Sequence, residues 1–487
     1  MDTLYAQIAD DLALDIQQGL YVPGTKVPSV RQLSKQRSVS ISTVNQAYAL
    51  LEDRGLIRSK PQSGYFVRQG ANDPIMAPPM SSGSEPAVVG KSELIGRMLS
   101  VVNGSSHTNL GAAIPHHSFM PLRALQTHIQ KVSRFQSQEV FNYQFSPGYE
   151  PLRKQIALRM REVGVRVHSD EVVITQGCSE ALSLCLRSNT VAGDIVAVES
   201  PCYYGFLQLA KQFDLKIIEI PTDPQTGISL EALELALQQW PIKIIAVNSR
   251  YSNPTGAAFS TEKQESLFKL AQKHDVKILE DDIYGEIGFE QSIHTVIKKF
   301  DTEGRVMYCS SYSKTVSPGL RIGWCIPGNS LKKIMDLQTF TTFGPASVSQ
   351  YAMSSFLQTG HYDKHLRNLT TLCRDNIERV THAVRQYFPV GTKISQPKGG
   401  YILWVCLPSN VSAIELQLKS LKEGINIAPG DLFSNSEHFS HCIRLNCALP
   451  WNDELRNAIK KLGSLISWWA LLRPPTEVTT TLKALRL

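Results

Sequence analysis

The chain has 487 residues, more than one hydrophobic core usually supports, so we expect two or more domains. Its composition, 42% hydrophobic and 19% charged with a net charge of +7, is typical of a globular protein, and no run of about 18 apolar residues predicts a membrane span. The nine cysteines are scattered without CxxC spacing, and the acidic N-terminus does not resemble a signal peptide. These features predict reduced thiols in the cytoplasm, with no disulfide framework and no metal site.

Residues 1–69 are predicted to form a unit of three helices followed by a β-hairpin. Apolar side chains at helical spacing mark the first and third helices: Leu4, Ile8, Leu12 and Ile16, then Val44, Ala47, Tyr48 and Leu51. A short helix between them begins at Ser29, where Gln32 completes a capping box, and the third helix has Ser42 or Ser40 as its N-cap. A turn over residues 60–64 joins the two hairpin strands. This order of elements is typical of a winged helix-turn-helix.

Charge is distributed unevenly along this unit. Residues 1–30 carry four Asp against Lys26, whereas residues 31–68 carry seven Lys or Arg against Glu52 and Asp53. One basic face for DNA phosphates would have this distribution, although a solvated surface is an alternative. In the winged helix-turn-helix geometry, the third helix enters the major groove by its N-terminal end. The predicted DNA contacts are Arg31, Ser42, Thr43, Asn45, Gln46, Arg58, Lys60, Ser63 and Gly64.

About fifteen positions of this unit resemble the GntR-type DNA-binding domain in one register. They include Pro23-Gly24, Pro28-Ser29, Thr43-Val44 and Ala47-Tyr48, and they end with the run Ser63-Gly64-Tyr65-Phe66-Val67. The resemblance implies operator DNA as a partner, bound through two half-sites.

Residues 70–92 are rich in Pro, Gly and Ser without periodicity, so we interpret them as a linker. From residue 93 to 466, short runs rich in Val and Ile alternate with stretches long enough for a helix. This alternation predicts an α/β domain with a mainly parallel sheet covered on both faces. Residues 467–487 are left as a C-terminal tail.

Ligands of open α/β sheets bind beyond the carboxyl ends of the strands, so the residues that follow each strand are the candidate site. Lys314 follows the strand 306–309, and a lysine there can form a Schiff base with an aldehyde, while Ser311 and Arg321 can hold a phosphate. Ser-x-x-Lys alone is weak, but the continuation Pro318-Gly319-Leu320-Arg321-Ile322-Gly323 makes it specific. Lys314 and Asp281 are the predicted catalytic residues.

Three further strand ends add complementary groups. Asp281, after the strand 276–279, can keep the pyridinium nitrogen of pyridoxal phosphate (PLP) protonated. Tyr284 and Asn253 can donate to the phenolate oxygen of PLP, and Tyr203 can stack on its ring. The alternatives are solvated acids or a metal site for Asp281, an ordinary turn for Asn253 and a rim aromatic for Tyr203; no His with ligand spacing accompanies Asp281, which argues against the metal.

Gln176-Gly177-Cys178-Ser179 joins a strand to a helix, and the exposed N–H groups of Cys178 and Ser179 would form a phosphate site. Taken together, the five strand ends resemble the fold type I PLP enzymes, the aspartate aminotransferase superfamily. The resemblance implies that Tyr143 reaches the cofactor phosphate of a neighbouring subunit, so a homodimer is expected. It also implies that Arg444 binds a substrate carboxylate, for which a surface salt bridge is the alternative.

A GntR-type head joined to an aminotransferase-like body is identified as the MocR family of regulators, and the segment 93–109 favours its YdcR-like members. The family implies a transcriptional regulator that senses an amino acid, an amine or PLP. A working aminotransferase with a secondary DNA-binding head is one alternative, and a scaffold that has lost PLP is another. The DNA-binding head favours the regulator, and the complete set of PLP residues argues against the scaffold.

Overall fold

The computed structural model describes residues 4–17, 20–21, 25–54, 56–60, 64–67, 85–87, 92–100, 107–289 and 295–472. Its N-terminal part contains α1 (Leu4–Gln17), α2 (Val30–Arg37), α3 (Ile41–Asp53), β1 (Ile57–Lys60) and β2 (Gly64–Val67). The two strands form an antiparallel hairpin, so the predicted winged helix-turn-helix order is present.

Side-chain caps determine where α2 and α3 begin. Ser29 caps α2: its Oγ accepts from the Gln32 N–H at 3.3 Å, and Gln32 Oε1 accepts from the Ser29 N–H at 3.0 Å. Ser40, not Ser42, caps α3, because its Oγ accepts from the Thr43 N–H at 3.1 Å. Such caps satisfy N–H groups that have no partner within the helix. Ser42 instead lies exposed in the first turn of α3.

The core of the N-terminal part is one apolar cluster. The predicted stripe of α3 is buried as expected: Val44, Ala47, Tyr48 and Leu51. The stripe of α1 is only partly correct, since Ile8 and Leu12 are buried but Leu4 is 55% exposed and Ile16 is half-buried. Ile16 still packs against this cluster at its edge, whereas Leu4 is not part of it.

The body begins after the predicted linker. Its helices are α4 (Ser92–Ser100), α5 (Leu122–Phe135), α6 (Ser137–Val140), α7 (Glu150–Glu162), α8 (Cys178–Asn189), α9 (Tyr204–Gln212), α10 (Leu230–Gln239), α11 (Thr261–Lys273), α12 (Leu331–Thr341), α13 (Ser347–Gln358), α14 (His361–Tyr387), α15 (Ala413–Lys422) and α16 (Asp453–Leu472). Its strands are β3 (Thr108–Asn109), β4 (Val173–Thr175), β5 (Ile195–Ser200), β6 (Lys216–Asp223), β7 (Gly227–Ile228), β8 (Ile242–Val247), β9 (Lys277–Asp281), β10 (Val306–Ser311), β11 (Gly323–Ile326), β12 (Lys393–Ile394), β13 (Ile402–Cys406), β14 (Ile425–Asn426), β15 (Ala428–Pro429) and β16 (Cys442–Asn446).

An eight-stranded sheet forms the centre of the body, in the order β4-β11-β10-β9-β8-β5-β6-β7. The central strands β10, β9, β8, β5 and β6 are parallel to one another, and β11 and β7 pair antiparallel with their neighbours. Buried apolar clusters lie against the sheet, which explains why its central strands are buried along most of their length. The carboxyl ends of the central parallel strands meet at one edge, as the sequence predicts.

A smaller antiparallel sheet, in the order β12-β13-β16-β15, forms the C-terminal subdomain together with α14, α15 and α16. The last helix runs to Leu472, beyond the predicted domain end at residue 466, and Trp469 is 8% exposed within the subdomain core. The apolar spacing of α16 therefore continues into the segment that we interpreted as a tail. Residues 473–487 lie outside the described residues.

Most of the predicted linker 70–92 also lies outside the described residues. Ala87 is an exception, because it exchanges backbone hydrogen bonds of 3.0 Å with Ile217 on β6. This part of the linker therefore runs along the outer side of a strand of the central sheet.

Candidate functional site

A cavity of about 240 Å³ lies at the carboxyl edge of the central sheet. The predicted residues that line it are Cys178, Ser179, Tyr203, Asn253, Asp281, Tyr284, Ser311, Lys314, Arg321 and Arg444. They come from segments far apart in the chain, and the parallel arrangement of the strands brings them together.

Lys314 and Asp281 lie inside this cavity. Lys314 Nζ donates a hydrogen bond of 2.6 Å to the Ala113 carbonyl oxygen. Burial, assisted by the nearby Arg444 guanidinium, lowers the pKa of Lys314 to about 8. Burial also raises the pKa of Asp281 to about 6, although the Cys178 thiol donates to its Oδ1 at 3.3 Å and opposes that rise. Both groups are thus held close to a change of charge near neutral pH.

Tyr284 offers a donor without a partner. Its side chain is 1% exposed, and its hydroxyl makes no hydrogen bond of normal geometry within the described part of the chain, although the Tyr401 side chain lies beside it. Buried hydroxyls are usually hydrogen-bonded, so this orphaned donor indicates a missing acceptor. Asn253 lies nearby, and its Oδ1 accepts from Arg444 Nη1 at 3.0 Å.

Tyr203 precedes α9 and lines the same cavity. Its ring lies so close to Gly205 that a Cβ there would be 2.5 Å from the ring. The glycine therefore allows the ring to fold over the first turn of α9.

At the other end of the cavity, α8 begins at Cys178 and directs its first N–H groups toward the cavity. Gly177 precedes it with φ +81°, and a Cβ at that position would be 2.4 Å from Arg321 Nη2. Arg321 is anchored by donating to the Gln176 carbonyl oxygen at 2.6 Å, and Ser311 is buried at the end of β10. The absence of a side chain at Gly177 creates a cradle of N–H groups, a hydroxyl and a guanidinium.

Arg444 is fully buried in the middle of β16. Its guanidinium donates to Asn253 and to the Gly111 carbonyl oxygen, while its Nε has no partner among the described residues. Arg444 makes no ion pair with any described acid, so the alternative of a surface salt bridge is wrong. A buried guanidinium without a carboxylate is costly, so Arg444 is a candidate for binding an anionic group.

Sequence reasoning missed several lining residues: Leu99, Ala112, Ala113, Ile114, Tyr204 and Ser313. Ala113 acts through its carbonyl oxygen, which no sequence pattern reports. Leu99 comes from α4, whose helical spacing buries Ile95 and Met98 and leaves Leu99 at the cavity. Amphipathic spacing just after the linker is the signal that identifies α4.

Tyr143 does not lie in this cavity. It is 73% exposed and stacks on Phe145, with a distance of 5.6 Å between ring centroids. Phe343 lies 6.0 Å from the Tyr143 ring, and Phe141 and Phe340 are also exposed. We call Tyr143, Phe145 and Phe343, whose rings contact one another, the aromatic patch.

Most of the predicted DNA contacts that the structure describes are exposed to solvent. Arg31 on α2, Ser42, Asn45 and Gln46 on α3, and Arg58 on β1 are all exposed. Thr43 is half-buried, and its hydroxyl shares a hydrogen bond of 2.8 Å with Ser40. Gly64 begins β2, whereas Ser63 and the side chain of Lys60 lie outside the described residues.

Two arginines of the basic segment do not contribute to an open basic face. Arg37 pairs with Asp11 at 3.0 Å, and Arg54 pairs with Asp10, so both tie the acidic α1 to the rest of the unit. Lys26, which the prediction left out, lies beside the hairpin: a Cβ on Gly64 would be 2.9 Å from its Cε. Its backbone also bridges to Phe66 of β2.

Comparisons with known proteins divide the chain in the same way. Residues 4–67 match the family of bacterial regulatory proteins of the GntR type, and residues 107–462 match the aminotransferase class I and II family. A solved kynurenine aminotransferase of Pyrococcus horikoshii, in complex with PMP and kynurenine, is 26% identical with a TM-score of 0.72; the match covers 78% of this chain and 96% of that one. These matches define a regulator with a helix-turn-helix head and an aminotransferase-like body.

Two similar proteins that match over nearly the whole chain identify the family of regulators to which it belongs. The chain is 40% identical to the HTH-type transcriptional regulator YjiR of Escherichia coli, over 95% of this chain and 99% of that protein. It is 37% identical to the E. coli regulator YdcR, over 95% and 98% of the two chains. The chain belongs to the MocR family of transcriptional regulators. Within the described residues, no helix has the length and apolar character needed to cross a membrane.

The cofactor of this aminotransferase fold is PLP, and the cavity fits it. Three observations carry that fit: the orphaned Tyr284 hydroxyl, the cradle that a Cβ at Gly177 would fill, and the buried Asp281 carboxylate. An acceptor oxygen, a phosphate and a protonated ring nitrogen are the complementary groups.

Proposed function

We propose that this protein is a PLP-dependent regulator that binds operator DNA through residues 1–69 and senses an amino acid, an amine or PLP through its body. The observation that carries the proposal is the buried Arg444 guanidinium, which has no acidic partner yet lines the same cavity as Lys314. Such a pair suits a ligand with both an amine and a carboxylate.

In the proposed site, PLP supplies an aldehyde that bonds covalently to amines and a ring that withdraws electrons. Lys314 provides the amine, and its pKa of about 8 leaves a substantial neutral fraction near neutral pH. Asp281 accepts from the ring N–H, and this interaction holds its carboxylate in the charged form. Tyr284 and Asn253 donate to the phenolate oxygen, and Tyr203 packs against the ring.

The phosphate would bind in the cradle at the start of α8. The N–H groups of Cys178 and Ser179 donate to it, helped by the helix dipole. Ser311 adds a hydroxyl, and Arg321 adds a charge-assisted hydrogen bond. Because backbone groups bind the phosphate, a cysteine at position 178 is compatible with this role.

Arg444 would bind the ligand carboxylate in a bidentate fashion. The ligand would supply an acceptor for Nε, which is buried and has no partner within the described residues. An amine without a carboxylate would leave this guanidinium unpaired, so we expect carboxylate-bearing effectors to bind more tightly than their decarboxylated counterparts.

On the DNA side, α3 would enter the major groove with Ser42, Asn45 and Gln46 toward base edges and Thr43 toward the backbone. Arg31 would contact a base or a phosphate at the start of α2. Phosphate contacts from the hairpin would come from Arg58, Lys60, Ser63 and Gly64, and Lys26 beside Gly64 joins that set.

We propose a homodimer in which the aromatic patch is covered by the second copy. Contiguous exposed apolar surface of this kind usually marks an interface, and Tyr143 within it would then reach the neighbouring cofactor phosphate. One head per subunit would give the two half-sites.

Effector binding can change DNA affinity only if the effector binds two states of the protein differently. The linker is the covalent route between body and head. Ala87, near the C-terminal end of the linker, pairs with Ile217 of β6. The helix that follows the linker, α4, contributes Leu99 to the cavity.

The test is a visible absorbance spectrum of the purified full-length protein, followed by titration with amino acids and matched amines. A cofactor band that shifts with one compound, together with a changed gel-shift affinity for operator DNA, would support the sensor. A protein that stays colourless after addition of PLP would contradict it.

A second candidate function is aminotransferase activity. The lowered pKa of Lys314 favours it, because a lysine poised near neutral pH can carry a proton during transamination. Continued conversion of an amino acid in the presence of a keto acid would assign this activity. Stoichiometric binding of the amino acid without turnover would exclude aminotransferase activity and support the sensor function.

A further inference from the structure

We propose that Cys406, His441 and Cys442 form a binding site for a thiophilic metal ion of the Zn²⁺ class, outside the PLP cavity. One donor atom from each residue lies within 4.8 Å of the other two. Two thiolates and an imidazole are the ligands that zinc prefers in proteins. The spacing of these residues in the sequence does not indicate a metal site, because Cys406 and Cys442 are 36 positions apart.

Strand register brings the two thiols together. Cys406 pairs with Cys442 across the antiparallel strands β13 and β16. The next pair outward is hydrogen-bonded, since the Leu407 N–H donates to the His441 carbonyl oxygen at 2.9 Å. Cys406 and Cys442 therefore form a non-hydrogen-bonded pair, the type in which facing side chains approach most closely. Their sulfurs are 2.7 Å apart.

His441 supplies the third ligand from the residue before Cys442, and it is half-buried where both thiols are buried. This exposure provides an entry path and a position for a solvent ligand. Asp431 acts electrostatically on His441 and on Cys442, which favours a cation there. Lys393 also acts on His441 and opposes a cation, so the two thiolates must supply the compensating charge.

Metal binding requires only small movements. Two thiolates on one tetrahedral zinc, with Zn–S bonds of about 2.3 Å, lie about 3.7 Å apart, so the sulfurs must separate by about 1 Å. The ion replaces the S–H···S contact: one M²⁺ and two thiols give one bound ion and two released protons, with no change of oxidation state.

The site lies on the strand that carries Arg444. Cys442 and Arg444 are two residues apart, so their side chains are on the same face of the sheet. The thiols also pack in one cluster with Ile95 and Met98 of α4. A bound ion would therefore connect the last residue of β13 to the first residue of β16, two positions before Arg444.

The experiment uses the full-length protein with its PLP, in a thiol-free reductant and without oxygen. Cobalt(II) is titrated, and absorbance is recorded at wavelengths longer than the cofactor band, where tetrahedral cobalt absorbs; zinc then competes. We expect one cobalt per chain, displaced by zinc, and loss of the signal in Cys442→Ser and Cys406→Ser. Cys373→Ser, a buried thiol outside the cluster, should bind as the unchanged protein does. His441→Ala should weaken binding by at least about 10-fold.

Lack of tetrahedral cobalt in the unchanged protein, or the same signal in Cys442→Ser, would overturn the proposal. So would a Cys406–Cys442 disulfide found by peptide mass mapping of the purified protein together with no metal binding after reduction. That result would assign the pair to redox chemistry. Because Cys442→Ser can impair folding, the cofactor band of each variant serves as the folding control.

Discussion

The two functional regions of this protein are built in opposite ways. The proposed DNA-binding surface consists of residues of α2, α3 and the hairpin, all within residues 26–64, and most of those that the structure describes are exposed. The body's cavity consists of buried groups that come from residue 99 to residue 444. The surface site therefore depends on which side of each helix faces solvent, whereas the buried site depends on how the ends of distant strands come together.

The electrostatics of the two regions differ in the same sense. On the head, Arg37 and Arg54 sit in exposed ion pairs, which contribute little because water screens them. In the body, burial changes the pKa values of Lys314 and Asp281 and leaves Arg444 without an acid. Substitutions in the cavity should therefore have larger effects on its ligands than substitutions on the head have on DNA.

The largest effect is expected for Lys314→Ala. This variant removes the amine that bonds to the cofactor, so the absorbance band of the lysine-bound cofactor should disappear completely. DNA binding by the head and the fold of the body should remain, as judged by circular dichroism. Lys263→Ala, a half-buried lysine outside the cavity, is the matched control. A band that persists in Lys314→Ala would remove Lys314 from its role.

Arg444→Ala should strongly weaken the binding of effectors that carry a carboxylate. Truncating one partner of a buried charged pair costs about 2–5 kcal/mol, which is roughly 30-fold to several thousand-fold in dissociation constant. The matched decarboxylated amine should bind both proteins almost equally. Equal losses for the amino acid and its amine would contradict carboxylate recognition and indicate a general collapse of the site.

The pH dependence of cofactor binding tests whether burial in the cavity lowers the pKa of Lys314. A lysine reacts as the neutral amine, and the pKa of Lys314 in the apoprotein is lowered to about 8. The rate at which apoprotein develops the cofactor band should therefore rise about tenfold per pH unit up to about pH 8 and level off above it. A rise that continues toward pH 10.5 would show that burial does not lower this pKa.

Arg31→Ala tests the head. Loss of a base contact should cost about 1–3 kcal/mol of DNA affinity, and loss of a phosphate contact should reduce the salt slope by about 1. Arg37→Ala is the control, because Arg37 is already paired with Asp11. PLP content should be unchanged in both variants. Gel-shift affinities that are equal in Arg31→Ala and the unchanged protein would exclude Arg31 as a contact.

Ser40→Ala should have the smallest effect. It removes the N-cap of α3 and should lower the free energy of unfolding of the head by about 1 kcal/mol. Ser42→Ala is the matched control, since Ser42 does not cap the helix. Limited proteolysis of the linker and head, followed over temperature, measures the difference. Equal midpoints would show that the cap of α3 contributes little.

The two-part architecture, the parallel sheet and most of the cavity residues could be predicted from the sequence. Strands such as β5 and β8 are rich in Val and Ile, and the residues that follow parallel strands must meet at one edge. Local chemistry was enough for Ser29 and Gln32, because a capping box involves residues three positions apart.

Other features of the protein depend on tertiary contacts and could not be predicted from the sequence. The choice between Ser40 and Ser42, the pairing of Arg37 with Asp11, and the lining by Leu99 and Ala113 depend on which surfaces face each other. The proximity of Cys406 and Cys442 depends on strand register, which no local pattern reports. Sequence patterns report periodicity and local hydrogen bonding, whereas contacts between distant segments arise only when the chain closes around its core.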